Sequence, residues 1–307
     1  MSIWFITGSS RGLGLEITRA ALAAGHQVVA TARKAEALRE QFPDAADALL
    51  AVPLDVTDPH SIQAAVDAAV HRFGRIDVLV NNAGTGLLAA IEESDDAAVR
   101  RMYETNVFGL LAVQRAVLPV LRRQRSGHVI NISSIVGFAT SPGWGIYAST
   151  KFAVEAIGET LAAELAPLGV RVTLVEPGFF RTDFLDPVSL HSNVEIIEDY
   201  APTAGAVRNA MSDLNHSQPG DPVKGARAIV DIVQAPEPPL RLQLGADTLQ
   251  AYEAKLTRVR EEMNAWRHVA LSTDHDWPSV TAPTTAWARP SGVSSPPSSS
   301  TGCSSGG

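Results

Sequence analysis

The stretch "SIWFITGSSRGLGLEI", residues 2–17, decides the architecture. An apolar run, Ile3 to Ile6, flows into a turn carrying Gly8, Gly12 and Gly14, and an amphipathic pattern follows from Leu13 to Ala24. A strand, a glycine-rich turn and a helix in that order make the first half of a βαβ unit. Glycines at such a turn let the backbone approach an anionic group, which the helix N-terminus favours. The spacing is G-x-x-x-G-x-G in place of the common G-x-G-x-x-G. A turn of this kind can simply close a βα unit, but its place directly after the first strand points to a dinucleotide.

Working outward, six more strand-like runs follow: "QVVATA", "LLAVPLD", "IDVLVNNA", "HVINIS", "RVTLVEP" and "LRLQLG". Helical patterns separate them at Leu13–Ala24, His60–Arg72, Arg100–Arg123, Tyr147–Ala166 and Val223–Val233. Near-continuous apolar strands alternating with helices predict a parallel sheet covered on both faces. The expected fold is α/β: one Rossmann-like, doubly wound domain with a seven-stranded parallel sheet over residues 1–275. Residues 184–222 interrupt the rhythm between the sixth strand and a helix, where long excursions often form substrate lids. Residues 276–307 are expected to be a disordered tail, since from Pro290 onward only Val293 and Cys303 are not Pro, Ser, Gly or Thr.

Composition narrows the function classes. Charged residues make up 19% and the net charge is -8, which argues against non-specific nucleic-acid binding, and no nucleic-acid partner is expected. No apolar run approaches the roughly 18 residues of a membrane span, and no signal peptide is expected before the first strand. With a single cysteine, Cys303, no intrachain disulfide can form, and cytoplasmic residence is expected. The eight histidines stand without H-x-x-x-H or cysteine partners, so no metal site is expected.

Three further loops fit the same ligand. After the second strand comes "TARKAEAL", with Arg33 and Lys34 where many dinucleotide folds place an acid for the ribose hydroxyls. A carboxylate repels a 2′-phosphate and a guanidinium pairs with one, so NADP(H) is expected over NAD(H), with Arg11 able to reach the same phosphate. Arg33 and Lys34 could equally solvate a helix start. "LAVPLDVTDP" puts Asp55 past the third strand, within reach of an adenine amino group; it could instead cap the next helix, where Asp58 is the better candidate. "VLVNNAGTG" ends the fourth strand, and Asn82, Ala83 and Gly84 are expected against the ribose, although Asn-Asn-Ala-Gly is also plain turn chemistry.

"GWGIYASTKF" sets Tyr147 and Lys151 on one helix face, one turn apart. Tyrosine alone is a poor acid or base near neutrality, with a pKa of about 10. An ammonium within about 4–6 Å favours the phenolate, so Lys151 is expected to pull the Tyr147 pKa toward the working range. Ser134, at the end of the fifth strand, can donate to the same substrate oxygen. A phenol and a hydroxyl beside a hydride carrier amount to alcohol–carbonyl chemistry. Y-x-x-x-K alone is weak, since the pair is often an aromatic under a snorkelling amine. Its weight comes from standing in register with the glycine turn, the Asn-Asn-Ala-Gly turn and the strand-end serine.

Over residues 2–270 the chain resembles the short-chain dehydrogenases/reductases: "TGSSRGLG" looks like their cofactor turn, "NNAG" their strand-four signature and "YASTK" their active-site motif. The resemblance makes Ser134, thirteen residues before Tyr147, the catalytic serine, with Ser133 facing the other way. It assigns Asn106, in "RRMYETNVFGLL", to a helix kink and a water-linked proton path from the lysine. It implies cofactor contacts at Gly8, Ser10, Arg11, Gly12, Leu13, Gly14, Arg33, Asp55, Val56, Asn82, Ala83, Gly84, Tyr147 and Lys151. In "VEPGFFRTDF" it adds Pro177, Gly178, Phe180 and Thr182 beside the nicotinamide. The subfamily it is most similar to contains hydroxysteroid dehydrogenases and carbonyl reductases. The helices Met102–Arg122 and Tyr147–Ala166 have more apolar surface than one sheet face needs, and the family pairs them in a homodimer or homotetramer.

Candidate substrate borders are Leu87, Ile135, Trp144 and Phe184, walls suited to a hydrophobic ketone, aldehyde or secondary alcohol, or else residues that simply pack under the lid. Two other functions fit part of the pattern: a dinucleotide-binding sensor without turnover, and an NAD-dependent alcohol dehydrogenase of the same family. A nucleotide-sugar epimerase also uses the tyrosine–lysine pair, but with a different glycine spacing and a larger carboxy-terminal lobe.

Overall fold

The computed structural model describes residues 1–192 and 195–275; the expected tail at 276–307 lies outside the described residues. The chain divides into two units, Met1–Arg260 and Glu261–Gly307.

The first unit holds seven parallel strands: β1 Ile3–Ile6, β2 Gln27–Ala32, β3 Leu49–Pro53, β4 Val78–Asn81, β5 Gly127–Ile132, β6 Val170–Pro177 and β7 Arg241–Leu244. Their order is β3-β2-β1-β4-β5-β6-β7. The helices of eight residues or more are α1 Gly12–Ala23, α2 Pro59–Phe73, α3 Asp96–Tyr103, α4 Leu110–Gln124, α5 Gly145–Leu165, α6 Ala206–Leu214, α7 Pro222–Gln234 and α8 Ala246–Ala265. This is the doubly wound Rossmann-type arrangement the sequence predicts.

Side-chain alternation explains the two covered faces. Phe5, Val29, Leu79, Val129 and Val172 point to one side and bury against Ile62 and Val66 of α2, Val113 and Val117 of α4 and Leu161 of α5. Trp4, Ile6, Val28, Val80, Ile130 and Val175 point to the other and meet Ile17 and Ala21 of α1 with Ile229 and Val233 of α7. Each fully buried aliphatic side chain contributes about 1.5–3 kcal/mol. The chain runs outward from β1 to β3, then crosses back to β4 on the other side of β1. That reversal opens a crevice at the carboxyl ends of β1 and β4.

Local chemistry fixes the helix starts. Asp58 caps α2 by accepting from His60 N at 2.9 Å, with Pro59 at the first helical position. Asp95 caps α3 and Asp221 caps α7 in the same way. Between α3 and α4 the helix widens into a π-helical turn, Glu104–Gly109, which contains Asn106. Within the stretch predicted as an interruption, Leu190–His191 pairs in parallel with Gly86–Leu87, α6 follows, and Gly220 bridges back to Phe180.

Among the described residues no helix is long and apolar enough to cross a membrane. In the second unit the described residues continue α8 and add a short helix, Arg267–Leu271.

Candidate active site

At the crevice a cavity of about 310 Å³ runs from the glycine turn after β1 to the residues following β5 and β6. Its first wall is the turn itself: Gly8, Ser10, Arg11, Gly12 and Leu13. Gly8 has φ +71°, a left-handed conformation that a Cβ would strain. Gly14 is different, because it lies behind the wall and outside the cavity lining. A Cβ there would collide with Asn82 Nδ2 and the Gly8 carbonyl. Its glycine is thus required for packing of the turn rather than for approach to a ligand.

Asn82 explains that packing. Its Nδ2 donates to the carbonyls of Thr7 at 2.9 Å and Gly8 at 3.0 Å, while Thr7 Oγ1 accepts from the main-chain N–H groups of Asn82 and Ala83. The side chain expected against a ribose is a clamp holding the end of β4 to the glycine turn. Asn82, Ala83 and Gly84 still line the cavity.

Arg33 lines the cavity from the carboxyl end of β2, and Lys34 does not. Asp55 and Val56 stand beside Arg33. Asp55 Oδ1 accepts from Thr57 N at 2.9 Å and Thr57 Oγ1 at 2.7 Å, bonds that hold its carboxyl below the usual range. Helix capping falls to Asp58. Arg11 donates to the Val188 carbonyl at 3.2 Å, joining the glycine turn to the segment after β6.

At the far end of the cavity Ser134, Tyr147 and Lys151 come together. Ser134 caps a short helical turn, Ile135–Gly137, its hydroxyl accepting from Val136 N at 3.3 Å, and lines the cavity together with Tyr147. Ser133 turns the other way, under Gly137. Lys151 donates to the Ile132 carbonyl at 2.8 Å, with Nζ 5.7 Å from the centre of the Tyr147 ring. Burial lowers the lysine pKa from 10.5 to about 8, and Glu155 one turn on raises it in part. Burial also pushes the Tyr147 phenol upward, opposed by the Ser134 hydrogen bond. Removal of the phenol from water thus sets the direction, against the lowering by lysine that helical spacing suggests.

Asn106 is buried behind this wall, not on it. Its Nδ2 donates to the Thr85 carbonyl at 2.8 Å and Thr150 Oγ1 at 3.1 Å, and its Oδ1 accepts from Thr85 N at 2.9 Å. The π-helical turn supplies the kink, but the side chain meets Thr85 and Thr150, not Lys151. Pro177, Gly178, Phe180 and Thr182 complete the lining beyond β6. Asp247 of α8 fixes that turn by accepting from Phe179 N at 2.7 Å.

Of the apolar candidates, Ile135, Trp144 and Phe184 line the cavity; the Trp144 and Phe184 rings lie 5.7 and 5.4 Å from that of Tyr147. Leu87 does not, since it packs in the buried cluster beneath them. Lining residues that the sequence did not mark include Thr85 and Gln218, whereas Phe179 and Leu185 lie in the stretch expected to border the pocket. Gln218 sits in a proline-and-glycine-rich loop whose sequence carries no ligand pattern.

The groups present fit a nicotinamide dinucleotide. A left-handed glycine turn at a helix start faces one end of the cavity, and a guanidinium stands beside it. Residues 2–193 match the family model described as short chain dehydrogenase. The chain belongs to the short-chain dehydrogenase family. It is an oxidoreductase of the class that acts on CH–OH groups of small molecules with a nicotinamide dinucleotide. It is 40% identical over 273 residues to oxidoreductase BOA17 of Botryotinia fuckeliana, covering 88% of this chain and 98% of that one. Among solved structures it is similar to a short-chain dehydrogenase from Streptomyces avermitilis, with 39% identity and a TM-score of 0.83 over 89% of this chain and 100% of that one. A serine dehydrogenase in its closed form with NADP+ is 28% identical, with a TM-score of 0.68 over 79% of this chain and 94% of that one.

Proposed function

We propose that this short-chain dehydrogenase is an NADP(H)-dependent oxidoreductase for a hydrophobic ketone, aldehyde or secondary alcohol, with Tyr147 as general acid and base. The observation that carries the reading is the buried Tyr147 sharing one cavity wall with Ser134, with the Lys151 ammonium beneath its ring. The bound nicotinamide supplies or accepts the hydride.

Everything else falls to this chain's own groups. Ser134 and Tyr147 hold the substrate oxygen, and Tyr147 Oη gives it a proton in reduction or takes one in oxidation. Lys151 steadies the phenolate left behind. Trp144, Phe184, Phe179 and Ile135 exclude water and favour apolar substituents on the reacting carbon. Residues 184–222 are the lid over that end, and the unit that carries the site is the domain expected over 1–275. Gly8, Ser10, Gly12 and Leu13 hold the pyrophosphate side; Arg33, with no acid at the end of β2, favours a 2′-phosphate. Exposed Phe108 and Phe152, on the helical faces expected to pair, support a homodimer or homotetramer. Cytoplasmic residence is part of the same reading.

The test is consumption of NADPH against a panel of ketones and aldehydes, wild type beside Tyr147→Phe. Turnover by the wild type and a loss of about 10²–10⁴-fold in the variant, with NADPH binding kept, is the expected result. Undiminished turnover in Tyr147→Phe would sink the assignment, and bound NADPH with no turnover on any substrate would favour a sensor.

A further inference from the structure

Glu155 lies one helical turn beyond Lys151 on α5, and both are buried. Its Oε2 accepts from Arg241 Nε at 3.0 Å, but its Oε1, also buried, has no hydrogen-bond partner among the described residues. The Lys151 ammonium carries three donors, and the Ile132 carbonyl takes one of them at 2.8 Å. Ser133 directly follows Ile132; it is 3% exposed, and its hydroxyl likewise has no partner among the described residues. Buried polar groups are almost always bonded, and one left open is destabilising. Here an ammonium, a hydroxyl and a carboxylate oxygen are all left with unused capacity.

The three belong to one place. A Cβ on Gly137 would come within 2.5 Å of Ser133 Oγ and 3.5 Å of Glu155 Oε1, so both oxygens lie under the same glycine. Ser133 N donates to the Val175 carbonyl at 2.7 Å, which fixes the serine against β6. Residues four apart on a helix share a face, so the Lys151 and Glu155 side chains leave α5 on one side. A hydroxyl accepts one hydrogen bond while donating another, the chemistry needed to join an ammonium to a carboxylate.

Other charges around this point are committed elsewhere. On β6, Glu176 accepts from Gln243; on β7, Arg241 pairs with Glu155, Glu159 and Glu176; on α8, the Tyr252 ring stacks on Phe138 at 4.3 Å. On α3, Tyr103 donates to Ser149 at 2.8 Å, while Asp96, Arg100, Arg101 and Glu104 of α3 and the π-helical turn are exposed. Tyr147, on the other side of Lys151, is a neutral phenol. We propose that Glu155 is a positioning residue for the reaction: through the Ser133 hydroxyl its carboxylate gives the Lys151 ammonium a counter-charge, and Arg241 holds that carboxylate in place. This rests on the reading of Tyr147 and Lys151 as the acid–base pair. Electrostatics agree, since burial lowers the Lys151 pKa and the Glu155 charge raises it in part. Ser133, which the motif spacing sets aside, thereby acquires a role distinct from that of Ser134.

The experiment follows the Lys151 amine itself. Nitrogen NMR of isotope-labelled protein without ligand, with the signal assigned by its loss in Lys151→Met, gives the pH at which the amine loses its charge. Glu155→Gln should lower that midpoint by about one pH unit, and Ser133→Ala should move it the same way by a smaller amount. Glu159→Gln, which removes the exposed carboxylate on the same arginine, should leave it in place. In carbonyl reduction the alkaline limb of kcat should move with the amine, so that Glu155→Gln loses about fivefold at pH 8 and recovers most of that at pH 6. A merely structural role would lower kcat at every pH alike and leave the midpoint where it was. A midpoint unmoved in Glu155→Gln or in Ser133→Ala overturns the proposal and leaves the acid–base reading standing. Should Glu155→Gln not fold, Ser133→Ala decides alone by the same criterion. A wild type that binds NADPH and reduces no carbonyl overturns the acid–base reading, and the role of Glu155 with it, whatever the amine does.

Discussion

The Lys151 ammonium donates to the Ile132 carbonyl at 2.8 Å while standing 5.7 Å from the centre of the Tyr147 ring. Its charge is thus anchored to the end of β5 and presented to the phenol from one side. Burial lowers its pKa from 10.5 to about 8, so it is charged at neutral pH and loses that charge above about 8. Carbonyl reduction is expected to fall as pH rises through that value, and Lys151→Met should lower kcat by about 10²–10⁴-fold, readable in a pH–rate profile. The sign for stability is opposite to that for activity. A base whose folded pKa lies below its unfolded one opposes folding below the folded value, and the penalty fades as pH rises from about 8 to 10.5. Removing it is worth about 3 kcal/mol at pH 7, offset by about 1 for the Ile132 carbonyl left unbonded. Calorimetry should find inactive Lys151→Met more stable than wild type at pH 7, with the gain gone by pH 10.5; a lower melting temperature at pH 7 would refute this.

Arg33 is the side chain placed to choose between the two dinucleotides, because Lys34 does not reach the cavity and Asp55 is bonded to Thr57. Arg33→Asp replaces a cation by a charge that repels a 2′-phosphate. The ratio of kcat/KM with NADPH to that with NADH should drop by at least about tenfold, the lower end of what a charge-assisted pair supplies. A ratio that does not move would show that another group makes the selection.

The fold was legible because each strand carries its own signal. Ile3–Ile6, Gln27–Ala32 and Val170–Pro177 are short apolar runs ending at turn residues, and the runs alternate with helical patterns. The catalytic pair was legible for a similar reason, since i and i+4 fix Tyr147 and Lys151 on one face before any tertiary contact forms. What stayed hidden depends on distant neighbours. Gly14 reads as a ligand glycine until Asn82, sixty-eight positions away just past the end of β4, is seen filling the space a Cβ would take. Asn106 reads as a site residue, but Thr85 and Thr150 occupy its amide. The direction of the Tyr147 shift depends on burial by Trp144 and Phe184, which spacing does not reveal. Gln218 has no motif at all, and its place follows only from the pairing of Gly220 with Phe180.

Phe108 and Phe152 are 51% and 42% exposed on the π-helical turn and on α5. Large aromatics left in water on two helices of one face fit an interface between copies of the chain. If copies pair through this face as proposed, Phe152→Asp should sediment as a single chain in analytical centrifugation, with a melting temperature independent of concentration. A wild type that sediments as one chain would refute the assembly.

Glu93 is tied to three separate segments. Its carboxylate accepts from Arg208 on α6 at 2.8 and 3.2 Å, from Ile197 N at 3.1 Å and from Ala90 N at 2.8 Å. The Glu93 side chain is fully buried and that of Arg208 is 15% exposed, so neither is well served by water. The guanidinium holds the Glu93 pKa down from 4.5 to about 2. A carboxyl whose folded pKa is depressed stabilises the fold fully above its unfolded value, and that stability is lost as pH falls from about 4.5 toward 2. The amount is about 3 kcal/mol. Glu93→Gln leaves Arg208 buried without its counter-charge and should lower stability by about 3–5 kcal/mol. Arg208→Leu strands the carboxylate and should do the same, whereas the double replacement Glu93→Leu with Arg208→Leu should lose less than the sum of the singles, because no charge is left unpaired. The loss should concentrate in the segment α6 belongs to, so hydrogen exchange at 206–214 should speed up in either single variant while the strands β1 and β4 keep their protection. Strictly additive losses, or faster exchange spread evenly over the sheet, would show that the pair does not anchor this segment.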